Sequence, residues 1–311
     1  MGKIAFVFAG QGAQHPGMGR ELYELSSAAR AVFDRGEALR PGTLAQCFEG
    51  PKEALSRTVN TQPCLFLTDW ACAAAAAEAG VLPDCGAGFS LGEVAACGYF
   101  GMMSFEDAFG TVMRRAGLMD ACAAARPGAM AAVLRLTAAQ VEALCDELPG
   151  AYPVNYNCPG QTVVAMERNA LAPLSERIAA LKGRALPLNV SGGFHSPLMD
   201  EASSGLAAHL KEKAIALPRA PLYANLTARP YAGGADALRT LLSEQVHRPV
   251  LWQSTVENMI ADGVTTFVEV GPGSTLSGLI KKISPESIIH QVADAASLRE
   301  TAGALAGGYA C

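Results

Sequence analysis

The sequence predicts an α/β fold in which a large domain with a parallel sheet is interrupted by a smaller inserted domain. Short β-branched or aromatic runs alternate with longer helical periodicities in both end segments of the 311-residue chain, which is typical of a parallel sheet covered by helices. Between these segments the order changes to strand, helix, strand, strand, helix, strand. We therefore predict a large domain over residues 1–126 and 197–311, and an inserted domain over residues 127–196.

The first segment of the large domain contains two predicted strands. Residues 3–9 form the first strand, and a helix begins near Met18. A helix over residues 62–79 precedes a short strand that ends at Ser90. Residues 104–107 (SFED) have the pattern of a capping box and open the next helix. Each predicted strand is thus followed by a helix, as a parallel sheet requires.

The inserted domain is predicted from six elements, which are a strand over 129–136, a helix over 137–148, strands over 152–157 and 161–166, a helix over 173–182 and a strand over 185–190. This β-α-β-β-α-β order predicts a ferredoxin-like unit. After residue 196 the first pattern resumes, with a helix over 197–213, a strand over 222–226, helices on either side of Pro249, a strand over 265–270 and a helix after Gly273.

Composition excludes several classes of protein. Half of the residues are apolar, 17% are charged, and no apolar run approaches the length of a membrane span. The first residues lack the pattern of a signal peptide, so we expect a cytoplasmic protein with no membrane partner. A net charge of −5 without any Lys/Arg-rich block argues against nucleic acid as a partner.

The nine cysteines do not indicate a disulfide framework or a metal site. They are odd in number, and several, such as Cys47, Cys64, Cys72, Cys97 and Cys145, lie within apolar helical patterns. The chain has no C-x-x-C pair, and none of its five histidines lies four residues from another. We therefore expect no metal ion and no bound cofactor.

The segment Gly88-Phe89-Ser90-Leu91-Gly92 is predicted to lie where a strand meets a helix. A G-x-S-x-G segment in that position is a nucleophile elbow, in which Ser90 sits at the apex of a tight turn, and it favours an α/β-hydrolase-like large domain. The backbone N–H of Leu91, at the start of the helix, is the leading candidate to stabilise an oxyanion. A simple Gly-Ser turn is the alternative interpretation of this segment.

A serine hydroxyl needs a base, and His195 is the best of the five histidines. It follows Ser191-Gly192-Gly193 at the junction of the two predicted domains, where clefts form. The other four are assigned ordinary roles in loops, helices or strands; these are His15, His209, His247 and His290. Asp200 is expected to point away, so no acid completes a triad and a backbone carbonyl is expected to orient His195.

The loop Gly10-Gln11-Gly12 follows the first predicted strand. Such a loop suits either a phosphate site or part of an oxyanion hole. It matches neither G-x-G-x-x-G, because position 15 is histidine, nor the P-loop pattern G-x-x-x-x-G-K-[ST]. A dinucleotide or P-loop site is therefore disfavoured.

Five segments together resemble a known family; they are 8–14 (FAGQGAQ), 88–93 (GFSLGE), 157–161 (NCPGQ), 189–191 (NVS) leading to His195, and 269–273 (EVGPG). They occur in the same order in malonyl-CoA:acyl carrier protein transacylases. The resemblance extends over essentially the whole chain. It implies a ping-pong transfer through malonyl-Ser90, with His195 as the general base in both halves.

The resemblance also implies further site residues and partners. The N–H groups of Gln11 and Leu91 would form the oxyanion hole. Arg115, four residues before Met119, would hold the free malonyl carboxylate, because a guanidinium can grip a carboxylate through two charge-assisted hydrogen bonds. Gln62 would lie near the same pocket. Malonyl-CoA is then a substrate, acyl carrier protein is the partner, and the family suggests a monomer.

The sequence departs from this family at two positions and matches a subset of it at a third. Phe89 stands where most members have histidine, and Leu251 where we expect glutamine. The carbonyl that orients His195 is expected from the segment that contains Leu251, residues 248–252. Phe194 resembles relatives that select unsubstituted malonyl, because a ring there would crowd an α-methyl branch; one methyl usually gives a preference of about 10 to 200-fold.

Two alternative functions remain open at this point. A serine thioesterase or other acyl hydrolase would use the same nucleophile with water as the acceptor. A catalytically silent module that docks carrier proteins would need neither Ser90 nor His195 as reactive groups. The sequence also does not distinguish a carrier of fatty-acid synthesis from one of polyketide synthesis.

Overall fold

The computed structural model describes residues 2–306. Its strands are β1 (Lys3–Phe8), β2 (Cys85–Gly88), β3 (Gly128–Leu134), β4 (Ala151–Cys158), β5 (Gln161–Glu167), β6 (Arg184–Pro187), β7 (Leu222–Tyr223), β8 (Val264–Val270) and β9 (Ile288–Val292). Its α-helices are α1 (Arg20–Leu25), α2 (Ser27–Leu39), α3 (Thr43–Glu49), α4 (Lys52–Leu55), α5 (Thr58–Glu78), α6 (Leu91–Tyr99), α7 (Phe105–Ala125), α8 (Ala138–Asp146), α9 (Leu171–Ala180), α10 (Asp200–Leu210), α11 (Ala235–Glu244), α12 (Trp252–Ala261), α13 (Thr275–Ile283) and α14 (Ala295–Leu305).

The strands form two separate sheets, so the fold is mixed α/β. Five strands make a parallel sheet in the order β7-β2-β1-β8-β9. Four make an antiparallel sheet in the order β4-β5-β3-β6. The predicted parallel sheet is confirmed. The six elements predicted between residues 127 and 196 are also present, in the predicted order.

The central strand β1 explains why the parallel sheet is so clearly indicated by the sequence. Its residues Ile4 to Phe8 are buried, because β2 and β8 flank the strand and helices cover both faces. Strands buried on both sides are continuously apolar rather than alternating. The carboxyl ends of β1 and β2 lie side by side, with Phe8 opposite Gly88. The loop after β1 and the turn after β2 therefore emerge at the same edge of the sheet.

The antiparallel sheet is joined to the large unit by its edge strand β4. The N–H of Tyr156 donates to the carbonyl of Val250 (3.0 Å), and the N–H of Val250 donates to the carbonyl of Val154 (2.8 Å). This short parallel bridge pairs Asn155 with Val250. It fixes β4 against the segment that leads into α12, and so places side chains of β4 beside the edge where β1 and β2 end.

Several helix boundaries differ from prediction. The sequence predicts that α5 begins at residue 62, next to Pro63, whereas α5 begins at Thr58. A turn forms ahead of the proline, with the N–H of Thr61 donating to the carbonyl of Arg57 (2.8 Å). Helices α2 to α4 are absent from the prediction. The Ser104 hydroxyl caps α7 through the N–H of Asp107 as predicted, without the reciprocal half of a capping box.

The cysteines behave as small apolar side chains. All eight in the described residues are buried and unpaired; the ninth, Cys311, lies outside those residues. Within residues 2–306 no cluster of three or more His, Cys, Asp or Glu side chains is arranged to hold a metal ion. Over the same residues, every helix is too short or too polar to span a bilayer.

Candidate active site

Ser90 occupies a strained turn between β2 and α6. Its φ of 56° and ψ of −104° are rare for a residue with a side chain, and such backbone costs about 1–3 kcal/mol. The flanking glycines allow the turn to close. A Cβ on Gly88 would lie 2.0 Å from the carbonyl carbon of Gly92, and a Cβ on Gly92 would lie 2.3 Å from the oxygen of Phe8. The predicted strand-turn-helix arrangement around Ser90 is thus present.

His195 meets Ser90 from the loop between β6 and α10. Its Nε2 lies 2.7 Å from Ser90 Oγ, and its Nδ1 lies 2.7 Å from the backbone oxygen of Gln245. A carbonyl can only accept, so Nδ1 carries the proton and Nε2 can accept from the serine hydroxyl. The pKa of His195 is lowered to about 4, first by burial and then by the charge of Arg115, while the backbone at Gln245 and Arg248 acts in the opposite direction. His195 is therefore neutral at physiological pH.

The orienting carbonyl comes from a position that differs from the prediction. We expected it within residues 248–252, but the hydrogen-bonded oxygen belongs to Gln245, three residues before that segment. The glutamine at the site is Gln245, whereas Leu251, at the position where glutamine is expected, precedes α12. Asp200 points away from His195, as predicted, and bonds to Nδ1 of His247 (2.7 Å). Of the five histidines, only His195 hydrogen-bonds to Ser90 within the described residues.

Arg115 points from α7 into the site and is 1% exposed, whereas its neighbour Arg114 is exposed. Its guanidinium donates to Gln62 Oε1 (2.9 Å), to Gln245 Oε1 (2.9 Å) and to Ser90 Oγ (3.1 Å). Its Nε is buried and has no partner among the described residues. The structure thus brings Arg115 and Gln62 together beside the serine.

Arg115 keeps its charge despite burial. Desolvation lowers its pKa to about 10, and the negative charge of Glu93 acts in the opposite direction. A pKa near 10 leaves the guanidinium protonated at neutral pH. The site therefore contains a permanent buried cation next to the hydroxyl of Ser90.

The backbone N–H groups of Gln11 and Leu91 donate to no acceptor within residues 2–306. Leu91 is the first residue of α6, where helix N–H groups are free. Gln11 lies in the loop after β1 and lines the same cavity as Ser90. The side chain of Phe89, between them, packs edge-on against Trp252 with 5.5 Å between ring centroids.

Four buried polar side chains near Ser90 were not assigned any role from the sequence; they are Glu93, Asn225, Tyr231 and Gln245. Asn225 Oδ1 accepts from the N–H of Ser90 (2.8 Å), and its Nδ2 donates to the carbonyl of Gly88 (2.6 Å). Asn225 therefore holds the backbone of the elbow. Glu93 ends the family-like segment 88–93, but no spacing in the sequence relates it to Gln245, 152 positions away.

Two adjoining cavities lie at the site, and the smaller one is lined by the nucleophile Ser90. A cavity of about 80 Å³ is lined by Ser90, His195, Met119 and Phe194, among others. A second cavity, of about 220 Å³, adjoins it and shares with it the lining residues Gln11, Phe89, Asn155 and Leu188.

The second cavity continues along β4. Asn155 and Asn157 of that strand line it, together with Gln161. The Oδ1 atoms of the two asparagines are buried without partners in the described residues. Asparagine side chains with unpaired carboxamide groups in the lining of a cavity are suited to bind a polar ligand.

Comparison with known proteins gives consistent results. The sequence model of the acyl transferase domain family matches residues 5–302. The malonyl CoA-acyl carrier protein transacylase of Bacillus subtilis (strain 168) is 40% identical over 291 residues, which are 91% of each chain. The crystal structure of a malonyl CoA-acyl carrier protein transacylase from Clostridium perfringens superimposes with a TM-score of 0.94 at 35% identity, over 98% of each chain.

A third similar protein was solved with its partner. It is described as a malonyl-transacylase in complex with a type II PKS acyl-carrier protein. It superimposes with a TM-score of 0.93 at 33% identity, over 97% of this chain and 99% of the other.

Proposed function

The chain belongs to the acyl transferase family, and on this basis we propose that it transfers a malonyl group from malonyl-CoA to the phosphopantetheine thiol of an acyl carrier protein. The observation that carries the proposal is at Ser90, whose Oγ lies 2.7 Å from His195 Nε2 and 3.1 Å from the buried guanidinium of Arg115. A nucleophile, a base and a carboxylate-binding cation thus meet at one atom. The carrier would serve fatty-acid or polyketide synthesis.

In the first half-reaction, Ser90 Oγ attacks the thioester carbonyl of malonyl-CoA while His195 Nε2 takes the hydroxyl proton. The carbonyl oxygen becomes an oxyanion, which accepts hydrogen bonds from the N–H groups of Gln11 and Leu91 in this scheme. When the intermediate collapses, the C–S bond breaks, His195 returns its proton to the departing sulfur, and malonyl-Ser90 remains.

In the second half-reaction, the thiol of the carrier's phosphopantetheine replaces that of CoA. His195 takes the thiol proton as the sulfur attacks the ester carbonyl of malonyl-Ser90. The same two N–H groups stabilise the second oxyanion. Collapse breaks the C–O bond, the proton passes from His195 to Ser90 Oγ, and the carrier leaves with the malonyl group.

Arg115 gives the selectivity for an acyl group with a free carboxylate. It is charged and buried, so a malonyl carboxylate gains charge-assisted hydrogen bonds in a region that excludes water. A neutral acyl group has no carboxylate to accept these hydrogen bonds, so Arg115 does not favour its binding. Gln62 holds the other arm of the guanidinium and keeps its plane turned toward Ser90.

The cavity along β4 is suited to the pantetheine arm, which malonyl-CoA and the carrier share. The arm carries two amide groups, and the unpaired oxygens of Asn155 and Asn157 can accept from amide N–H groups. Coenzyme A is a substrate in this scheme rather than a bound cofactor. We further propose that a single copy of the chain is active, because all the site residues named here belong to one chain.

The domain description is also part of the proposal. The large domain, residues 1–126 and 197–311, is α/β-hydrolase-like, which the elbow between β2 and α6 supports. The inserted domain, residues 127–196, is ferredoxin-like. Its support is the β-α-β-β-α-β order together with the antiparallel strand order β4-β5-β3-β6.

Intact-protein mass spectrometry after brief exposure to malonyl-CoA tests the function. We expect the mass of one malonyl group to be added, absent in Ser90→Ala, and removed when a holo acyl carrier protein is added. Loss of the adduct to water at the same rate without the carrier would indicate a hydrolase instead. No adduct on the unmodified chain would indicate a silent docking module.

A further inference from the structure

Glu93 is a buried carboxylate that takes no part in the two half-reactions. It is the third residue of α6 and is 1% exposed. Its Oε1 accepts from the hydroxyl of Tyr231 (2.6 Å) and from the N–H of Asn225 (3.0 Å), and its Oε2 accepts from Nε2 of Gln245 (2.7 Å). A charged group taken out of water is costly unless it is paired and hydrogen-bonded, so this full set of donors needs an explanation.

Gln245 connects Glu93 to the nucleophile, the base and the cation of the site. Its backbone oxygen accepts from His195 Nδ1, and its Oε1 accepts from Arg115. Its Nε2 donates both to Glu93 and to the carbonyl of Ser90 (2.6 Å). One residue therefore contacts the base, the cation, the nucleophile's backbone and the buried carboxylate.

We propose that Glu93 is a positioning residue for acyl transfer, whose carboxylate orients Gln245 and provides the counter-charge for Arg115 and for the His195 imidazolium that forms during the reaction. The proposal rests on the proposed malonyl transfer. It assigns Glu93 no contact with the substrate.

The two ends of the Gln245 amide face different partners. A carboxylate only accepts, so Glu93 requires the NH₂ end of the Gln245 amide to face it. The oxygen end then faces Arg115, which only donates. A reversed amide would set donor against donor at Arg115 and acceptor against acceptor at Glu93. With Glu93 ionised, a single orientation satisfies both neighbours.

No carboxylate bonds to His195 within residues 2–306. The Nδ1 of His195 contacts a neutral carbonyl, and the Asp200 carboxylate bonds to His247 instead. When His195 takes the proton of Ser90, the site holds two buried cations.

The titratable or charged groups around Glu93 come from each element packed on it. They are Arg115 from α7, Tyr231 from the chain after β7, Cys97 from the next turn of α6, and His195 beyond Gln245. Within this group Glu93 is the carboxylate.

The ionisation of Glu93 should make kcat/KM depend on pH. The pKa of Glu93 is raised to about 7, because burial outweighs the opposing effects of the bonds from Tyr231, Asn225 and Gln245 and of the charge of Arg115. The pKa of His195 is near 4. Glu93 loses its charge as the pH falls through about 7, well before His195 is protonated. The value of kcat/KM, which reports groups of the free enzyme, should therefore fall below about pH 7.

The test measures acylation of Ser90 by malonyl-pantetheine from pH 5 to 9, since this substrate lacks the phosphates of CoA that titrate in this range. In the unmodified protein we expect kcat/KM to decrease with a midpoint near 7. In Glu93→Gln we expect kcat/KM at pH 8 to fall about 10- to 100-fold. Residues that orient a functional group without contacting the substrate have effects of this size in metal sites, where the second layer of residues orients the ligands. The decrease near pH 7 should be absent from this variant.

Tyr231→Phe is the matched variant, because it keeps the carboxylate and removes one hydrogen bond. That bond lowers the pKa of Glu93, so its loss should move the midpoint to higher pH. This result tests the proposal even if Glu93→Gln does not fold. Melting temperatures of all three proteins show separately how much each change affects stability.

A midpoint near 7 that persists in Glu93→Gln, or that is missing from the unmodified protein, would overturn the proposal. A lower melting temperature of Glu93→Gln with an unchanged pH profile would also overturn it, because the carboxylate would then only stabilise the first turn of α6. Failure of the proposed function is distinguishable, because the unmodified protein would then either form no malonyl-Ser90 at any pH or lose the malonyl group to water at the same rate with and without the carrier.

Discussion

The parallel and antiparallel sheets border the same cavities but differ in how their polar groups are paired. On the parallel-sheet side, Asn225 and Gln245 bond to the backbone of Ser90, and Glu93 bonds to both of them. These hydrogen bonds are 2.6–3.0 Å long. On the antiparallel-sheet side, Asn155 and Asn157 of β4 leave carboxamide oxygens buried without partners in the described residues.

This difference indicates a division of labour. Groups that stabilise charge in a transition state work best when they are already held in place, because no reorganisation is then needed during the reaction. Groups that recognise a substrate need free hydrogen-bonding capacity that the substrate completes. We therefore expect substitutions on the parallel-sheet side to change the rate of the chemical step, and those on β4 to change substrate binding.

The largest effect should come from His195→Ala. Removing the base should slow malonylation of Ser90 by about 10³-fold, within the range for general-base catalysis. Rapid-quench mass spectrometry measures this single turnover. His247→Ala is the control, because that imidazole bonds to Asp200 outside the site. Comparable losses in the two variants would contradict the role assigned to His195.

Arg115→Ala should have the next largest effect, and it should depend on the acyl group. Loss of a buried, hydrogen-bonded charge partner costs about 2–5 kcal/mol, so kcat/KM for malonyl-CoA should fall at least about 30-fold. Acetyl-CoA, which has no free carboxylate, should be affected far less. The neighbouring exposed Arg114→Ala is the control. Equal losses with both substrates would exclude Arg115 as the carboxylate anchor.

Phe194→Ala tests the position where the two sides meet. Phe194 is 5% exposed and lines the cavity around Ser90. Removing its ring should relax the preference for malonyl over methylmalonyl by about tenfold, since one methyl group is worth about 10 to 200-fold at most. Competition between the two CoA esters measures the ratio. An unchanged ratio would place the selectivity elsewhere in the site.

Asn157→Ala should have the smallest effect and should change binding alone. Loss of one neutral hydrogen bond, about 1 kcal/mol, should raise KM for malonyl-CoA about fivefold and leave kcat unchanged. Asn169→Ala, an exposed asparagine of the same domain, is the control. A fall in kcat at constant KM would break the proposed division between the two sheets.

Elements with a strong local signal were predictable from the sequence. The continuously apolar β1, the glycines around Ser90 and the alternation of strands and helices were enough to predict the parallel sheet and the elbow. The order of elements between 127 and 196 was equally predictable, because each strand is bounded by turn residues such as Pro159-Gly160. The start of α5 is predicted at residue 62 instead of Thr58, because a proline such as Pro63 usually marks a helix boundary.

The polar network around Glu93 was not predictable in the same way. Gln245 contacts Ser90 across 155 positions and His195 across 50. No periodicity relates residues at such separations, and a glutamine after a helix has many ordinary roles. The expected carbonyl was assigned to the wrong segment for this reason. Only the fold brings these groups together, whereas Ser90 itself could be recognised from its two neighbours.

The burial of the cysteines has a consequence for an enzyme that handles thioesters. Exchange of an acyl group between thiols requires an accessible thiolate. All eight described cysteines are buried, and burial raises the pKa of the thiols at Cys72, Cys85, Cys97 and Cys145, among others. The eight described thiols are out of reach of both CoA esters and the loaded carrier, and burial also disfavours the thiolate at the four positions just named. Within residues 2–306 the chain can thus carry eight thiols without acylating itself at the wrong sulfur, and Ser90 has no competitor among them.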